Sequence, residues 1–256
     1  MIVPNKIFIL GNWKMKPATR NEAIAVARKI EPGNTKNTQG VIIPPAIFLG
    51  AIQQLAPSTF SYGTQDIYWE EEGSCNAEIS PTQAKTTGCD YAIIGHSSRR
   101  ALGETDESVN KKILACIKHD IIPIVCIGES KRDEQGQYIS FLRNQISASF
   151  DGMSKADFEH IIIAYEPLWA IGSEATREAT PAEAEEVRIL IEKTIDEMTG
   201  HIPVGQITIV YGGSVDTAEQ LTDFLNIGMK GVLVGRASIE PKKFNALLTA
   251  ASSRTI

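Results

Sequence analysis

The residues best suited to chemistry are scattered along the chain, yet each group follows a short apolar run. Gly11-Asn12-Trp13-Lys14 follows Ile7–Leu10, and Gly95-His96-Ser97 follows Tyr91–Ile94. Glu166 follows Ile161–Tyr165 and leads into Pro167-Leu168-Trp169-Ala170-Ile171-Gly172. Gly212-Gly213-Ser214 follows Ile207–Tyr211, and Gly235-Arg236 follows Gly231–Val234. A carboxylate can take a proton, and an imidazole can polarise a carbonyl. A lysine can offset negative charge, and backbone N–H groups at glycine-rich turns can hold an anion. Singly, each has an ordinary explanation: Glu166 as a helix cap, Lys14 as a surface charge, His96 as a packed or solvated ring, the glycines as tight turns. Together, a base, a neutral ring, a cation and two anion-friendly loops form a coherent set.

Other candidates compete poorly. Glu70-Glu71-Glu72 reads as a solvated charge run, and Glu183, Glu185 and Glu186 as the wet face of a helix. Tyr68, Trp69 and Phe60 have no interleaved basic residues, which argues against nucleic-acid binding. The net charge of −6 argues the same way, and also against attraction to an anionic membrane surface. No stretch approaches the ~20 apolar residues that span a bilayer. Neither a Gly-x-Gly-x-x-Gly dinucleotide loop nor a Gly-x₄-Gly-Lys-Ser/Thr phosphate loop is present. The four cysteines form no C-x-x-C pair and no metal-like cluster, so free thiols in a reducing cytoplasm are expected, with no metal. Met1–Leu10 lacks the pattern of an export signal.

The elements that must position these residues recur in one pattern: a short apolar run, a loop, then an amphipathic stretch. Val41–Ile43, Phe60–Gly63 and Ile121–Ile127 complete a set of eight runs, mostly β-branched or aromatic, as strands buried on both faces read. Helical patterns cover Arg20–Ile30, Glu107–His119 and Pro181–Met198. In the last, Thr180 serves as N-cap, Pro181 as first helical residue and Glu183 as partner in a capping box; Pro241 opens a final helix similarly. Eight alternations over 256 residues fit a single closed α/β barrel over residues 1–256 better than an open doubly wound sheet. Active sites of such barrels lie at the carboxyl ends of the strands, where the groups above converge.

Asn12-Trp13-Lys14, Ile94-Gly95-His96-Ser97, Ala164 to Gly172 and Tyr211-Gly212-Gly213-Ser214-Val215 together resemble the triosephosphate isomerase family. Val125-Cys126-Ile127-Gly128-Glu129 and Val234-Gly235-Arg236-Ala237-Ser238 extend the resemblance to nearly the whole chain. It implies a single (β/α)8 TIM barrel that interconverts dihydroxyacetone phosphate and glyceraldehyde 3-phosphate without cofactor, as a homodimer. Glu166 would be the base, His96 the neutral electrophile, Lys14 the countercharge and Asn12 a hydrogen-bonding neighbour. Backbone N–H groups of Gly172, Ser214, Gly235 and Arg236 would hold the phosphate, and Pro167 to Gly172 with the following residues would form a lid. The chain departs from the family in several places. Ser98 stands where a glutamate usually lies near the lysine. Arg100 to Glu104 is one residue short, and the lid from Ser173 to Thr180 is about two residues long. Arg236 replaces a second glycine, and Gly73 to Glu78 replaces the Thr-Gly of the loop that enters the partner's site. Two alternatives follow: an isomerase of a longer ketose phosphate such as a tetrulose phosphate, suggested by the lid and Arg236, and a catalytically impaired binding protein, suggested by Ser98 and the interface loop.

Overall fold

The computed structural model describes residues 2, 5–31, 36–55, 60–172, 175, 177–200, 202 and 205–254. Eight parallel strands follow one another around a closed ring: β1 Ile7–Asn12, β2 Thr38–Ile43, β3 Ser61–Thr64, β4 Cys89–Ile94, β5 Ile122–Ile127, β6 Ile162–Tyr165, β7 Thr208–Tyr211 and β8 Gly231–Val234. The ring closes where Phe8 to Gly11 of β1 pair with Gly231 to Val234 of β8. Helices α1 Arg20–Ala27, α2 Ala46–Gln53, α3 Pro81–Thr86, α4 Ser97–Arg100, α5 Asp106–Lys118, α6 Gln137–Ser149, α7 Pro181–Thr199, α8 Ala218–Asn226 and α9 Pro241–Ser252 lie between and after the strands. This is the (β/α)8 barrel that the alternating pattern predicts.

Period-two alternation explains why the strands read as unbroken apolar runs. On β1, Phe8 and Leu10 face the barrel interior, while Ile7 and Ile9 face the helices. Ile124 and Cys126 of β5, Ile162 and Ala164 of β6, Val210 of β7 and Leu233 of β8 join the inner cluster. Their neighbours Val125, Ile163, Ile209 and Val232 pack outward under the helices. Each fully buried aliphatic side chain contributes roughly 1.5–3 kcal/mol.

The helix starts follow sequence rules. Thr180 accepts from the Glu183 amide, Glu183 reaches back to the Thr180 amide at 2.9 Å, and Pro181 sits inside the first turn of α7. Pro241 opens α9. Most element boundaries move by one to three residues from the sequence reading, and for two of them the cause is plain. β1 runs on to Asn12, because its ladder with β2 continues to the Asn12–Ile43 pair. α1 stops at Ala27, because the amides of Lys29 and Ile30 reach back three residues rather than four, to Val26 and Ala27.

Candidate active site

His96 follows β4 and is buried. Its Nδ1 accepts from the Ser98 amide at 3.1 Å and lies 2.8 Å from the Ser98 hydroxyl. A backbone N–H can only donate, so Nδ1 carries the lone pair and the ring proton sits on Nε2. Nε2 lies 3.4 Å from Glu166 Oε1 and, among the described residues, has no aligned hydrogen-bond partner. Burial pulls the imidazole pKa below its ordinary value. The Glu166 and Glu104 charges oppose that shift and the Lys14 charge adds to it. The ring is therefore neutral near pH 7, with a donor facing the cavity.

Glu166 follows β6 and is also buried. Its amide donates to the Ile127 carbonyl at 2.8 Å, and its Oε2 accepts from the Ser97 amide at 3.3 Å. Two glycines make room for it. A Cβ at Gly128 would lie 1.8 Å from the Glu166 carbonyl oxygen, and one at Gly212 would lie 2.8 Å from its Cγ. Beside the next residues, Glu129 accepts from the Tyr165 hydroxyl at 2.9 Å and from Trp169 Nε1 at 2.7 Å. These bonds pin the short 3₁₀ turn Leu168–Ala170 that leads away from Glu166. Burial raises the Glu129 pKa against the pull of both hydrogen bonds.

At the end of β1, the Asn12 side chain accepts from the Lys14 amide at 2.9 Å. Gln65 Nε2 donates to the Lys14 carbonyl at 2.7 Å. These bonds hold Lys14 at φ 53°, a left-handed conformation that non-glycine residues enter at a cost of order 1–3 kcal/mol. The Lys14 side chain lies beside Gly235, where an added Cβ would be 4.0 Å from its Nζ.

One cavity of about 330 Å³ is lined by Asn12, Lys14, His96, Glu166, Gly172, Ser214, Gly235 and Arg236, all eight of the residues expected from the sequence. Asp216 joins them at the rim, where its carboxylate is 3.4 Å from Lys243 Nζ. Arg236 is exposed and begins the 3₁₀ turn Arg236–Ile239. Ser173, Glu174 and Thr176 of the expected lid lie outside the described residues. Three contributors were not singled out as site residues from sequence: Gly128, which gives Glu166 its room, Glu129, which anchors the segment after it, and Gln65, which holds Lys14. The only signal for the first two was their place in Val125 to Glu129, at the end of a strand.

A second layer braces the loop that carries His96. Arg100 Nε donates to the Gly95 carbonyl at 2.7 Å, and Arg100 pairs with Asp106. Arg99 Nε lies 2.9 Å from Asp66 Oδ2. The almost wholly buried Lys112 bonds both Asp66 oxygens at 2.8 Å and pairs with Glu104. The thiols of Cys89, Cys116 and Cys126 are buried and Cys75 is exposed; all four are free. Among the described residues no cluster of three or more His, Cys, Asp or Glu is arranged to hold a metal ion, and no helix is long and apolar enough to cross a membrane.

The family profile described as triosephosphate isomerase matches residues 7–251. A triosephosphate isomerase of Thermoanaerobacter pseudethanolicus is 39% identical over 241 residues, covering 92% of this chain and 96% of the relative. One from Moorella thermoacetica is 37% identical over 244 residues (94% and 96%), and one from Clostridium botulinum 35% over 247 (95% and 98%). Similarity that extends from the first strand into the last helix, on a closed eight-stranded ring, makes this chain a member of the triosephosphate isomerase family.

Proposed function

We propose that this chain, an aldose–ketose isomerase by its family, interconverts dihydroxyacetone phosphate and glyceraldehyde 3-phosphate through the cavity that joins Glu166, His96 and Lys14. Glu166 takes the proton from the carbon beside the carbonyl and returns it to the neighbouring carbon, passing through an enediolate. His96 offers its Nε2–H to the oxygens, one after the other. Lys14 and the Asn12 side chain meet the negative charge that develops there. The phosphate is held by the N–H groups of Gly172, Ser214, Gly235 and Arg236, which line the same cavity.

The observation that carries this reading is the buried pair: a carboxylate and a neutral Nε2–H donor, 3.4 Å apart, opening on one cavity with a lysine. A carbon acid is weak, so its base works best in such a dry, fixed place. Full-length similarity to triosephosphate isomerases does not favour the longer ketose phosphate or the impaired binding protein. Residues 1–256 then act as one catalytic domain in the cytoplasm, free of cofactor, membrane or nucleic acid. The partner is a second copy of the chain. Met15, Ile47 and Leu102 are 92%, 84% and 80% exposed, on segments that follow β1, β2 and β4 at the site end of the barrel. Exposed apolar groups gathered on one rim are the usual mark of a contact surface.

Steady-state turnover of glyceraldehyde 3-phosphate tests the reading. Glu166→Gln keeps the shape but not the basicity, and is expected to lower kcat by about 10²–10⁴-fold. Absence of turnover by the unaltered chain, or full activity in the variant, would reject it.

A further inference from the structure

We propose that Ser98 is a positioning residue for the isomerisation, acting through its hydroxyl on His96 Nδ1. The proposal rests on the functional reading above and adds a residue to it. Neutral imidazole is already what the family resemblance implies; the hydroxyl contact belongs to a position where this chain departs from the family.

The geometry is specific. The Ser98 amide donates to Nδ1 at 3.1 Å, so that nitrogen is an acceptor. The Ser98 hydroxyl, 2.8 Å away, must then donate to the same lone pair. Two donors on Nδ1 have two effects. A proton arriving at Nδ1 would face an amide N–H that cannot turn away, which disfavours imidazolium. Electron density drawn toward Nδ1 also makes the opposite Nε2–H a stronger donor. Nε2 is the nitrogen that faces Glu166 and the cavity. When the Nε2 proton passes to a substrate oxygen, the lone pair stays on the ring, and both donors at Nδ1 become charge-assisted. The proton returns to Nε2 from the adjacent hydroxyl, so the cycle closes without another reagent. The charged groups around the ring are Glu166, Lys14 and Glu104. None of them bonds Nδ1, so the hydroxyl can be altered separately.

Ser98→Ala and Ser98→Thr separate this role from a structural one. Ala removes the hydroxyl and keeps the amide; Thr keeps both. Loss of one hydrogen bond corresponds to a fall in kcat of roughly 3–10-fold in the Ala variant. KM should be nearly unchanged, and Thr should recover most of the activity. The ¹⁵N resonance of His96 Nδ1 should move toward that of a less hydrogen-bonded acceptor in Ala and stay in place in Thr. Unchanged kcat with an unchanged resonance in Ala overturns the proposal, as does a Thr variant as slow as Ala. An unaltered chain that turns over no triose phosphate rejects the functional reading, and this role with it. An active chain that is indifferent to Ser98→Ala rejects the role of Ser98 alone.

Discussion

Glu166 is held as much by what its neighbours lack as by what they offer. Gly128 and Gly212 leave space that any side chain would fill, and at Gly128 the obstacle is the Glu166 carbonyl itself rather than a movable side-chain end. Gly128→Ala must therefore push the β6 end away from β5. It is expected to cost about 1–3 kcal/mol in denaturant titrations, with a fall in kcat alongside. Gly50→Ala on α2, where an added Cβ meets nothing within 4 Å, provides the contrast: neutral or stabilising by up to about 1 kcal/mol, with kcat unchanged. Equal effects of the two changes would sink the steric argument. Asn12, Lys14, His96, Glu166, Gly172, Ser214, Gly235 and Arg236 were legible because residue type and place after a strand are both written in the sequence. Gly128, Glu129 and the Ser98 hydroxyl were not. Their importance lies in a distance to another element, and no local pattern encodes that.

Elements beside the site are joined by buried charge. Asp66 follows β3, Arg99 lies on α4, and Lys112 on α5 bridges Asp66 to Glu104. Burial raises the Asp66 carboxyl from 3.8 to about 6, in spite of the Lys112 and Arg99 charges beside it. A carboxyl with a higher pKa in the folded state binds its proton more tightly there. Its contribution to stability is therefore complete below about pH 3.8 and is lost as the pH rises through about 6. The melting temperature of the unaltered chain, taken relative to Asp66→Asn, should fall between about pH 4 and 7. A difference that stays flat across that window would show that Asp66 does not titrate there. The strands, α1, α5, α7 and the start of α9 were readable because two-sided burial, amphipathic spacing and, at α7, a capping box leave direct traces; α3 and α8 also carry capping boxes but are not among the helices the sequence reading named. α6 was not readable: Gly136 at its start offers no side chain, and its first amides, at Gln137 and Tyr138, bond the Asp133 carboxylate at 2.9 and 3.1 Å, from upstream of the helix. A four-residue helix such as α4 is too short to show a period.

At the scale of the molecule, chemistry and cohesion are divided. The inner and outer apolar clusters hold the barrel, and the polar groups of the cavity follow the strand ends. That same end of the barrel carries Met15, the most exposed of the large apolar side chains described. If a second copy covers it, Met15→Asp should raise the dimer dissociation constant by roughly tenfold or more, from the lost burial of one Met per subunit. Sedimentation equilibrium would read the change; an unaltered chain that is monomeric at micromolar concentration would exclude the dimer. The closed ring carries a further consequence, for synthesis. A barrel with no free edge gives no other chain a strand to copy. That protection arrives only when β8 reaches β1, and these two strands lie at opposite ends of the order in which a ribosome makes them. While the chain is being translated, the first strand has one side unclaimed until Gly231 to Val234 have been made. The interval between those two events, rather than anything in the finished ring, is when an open strand edge is exposed to aggregation.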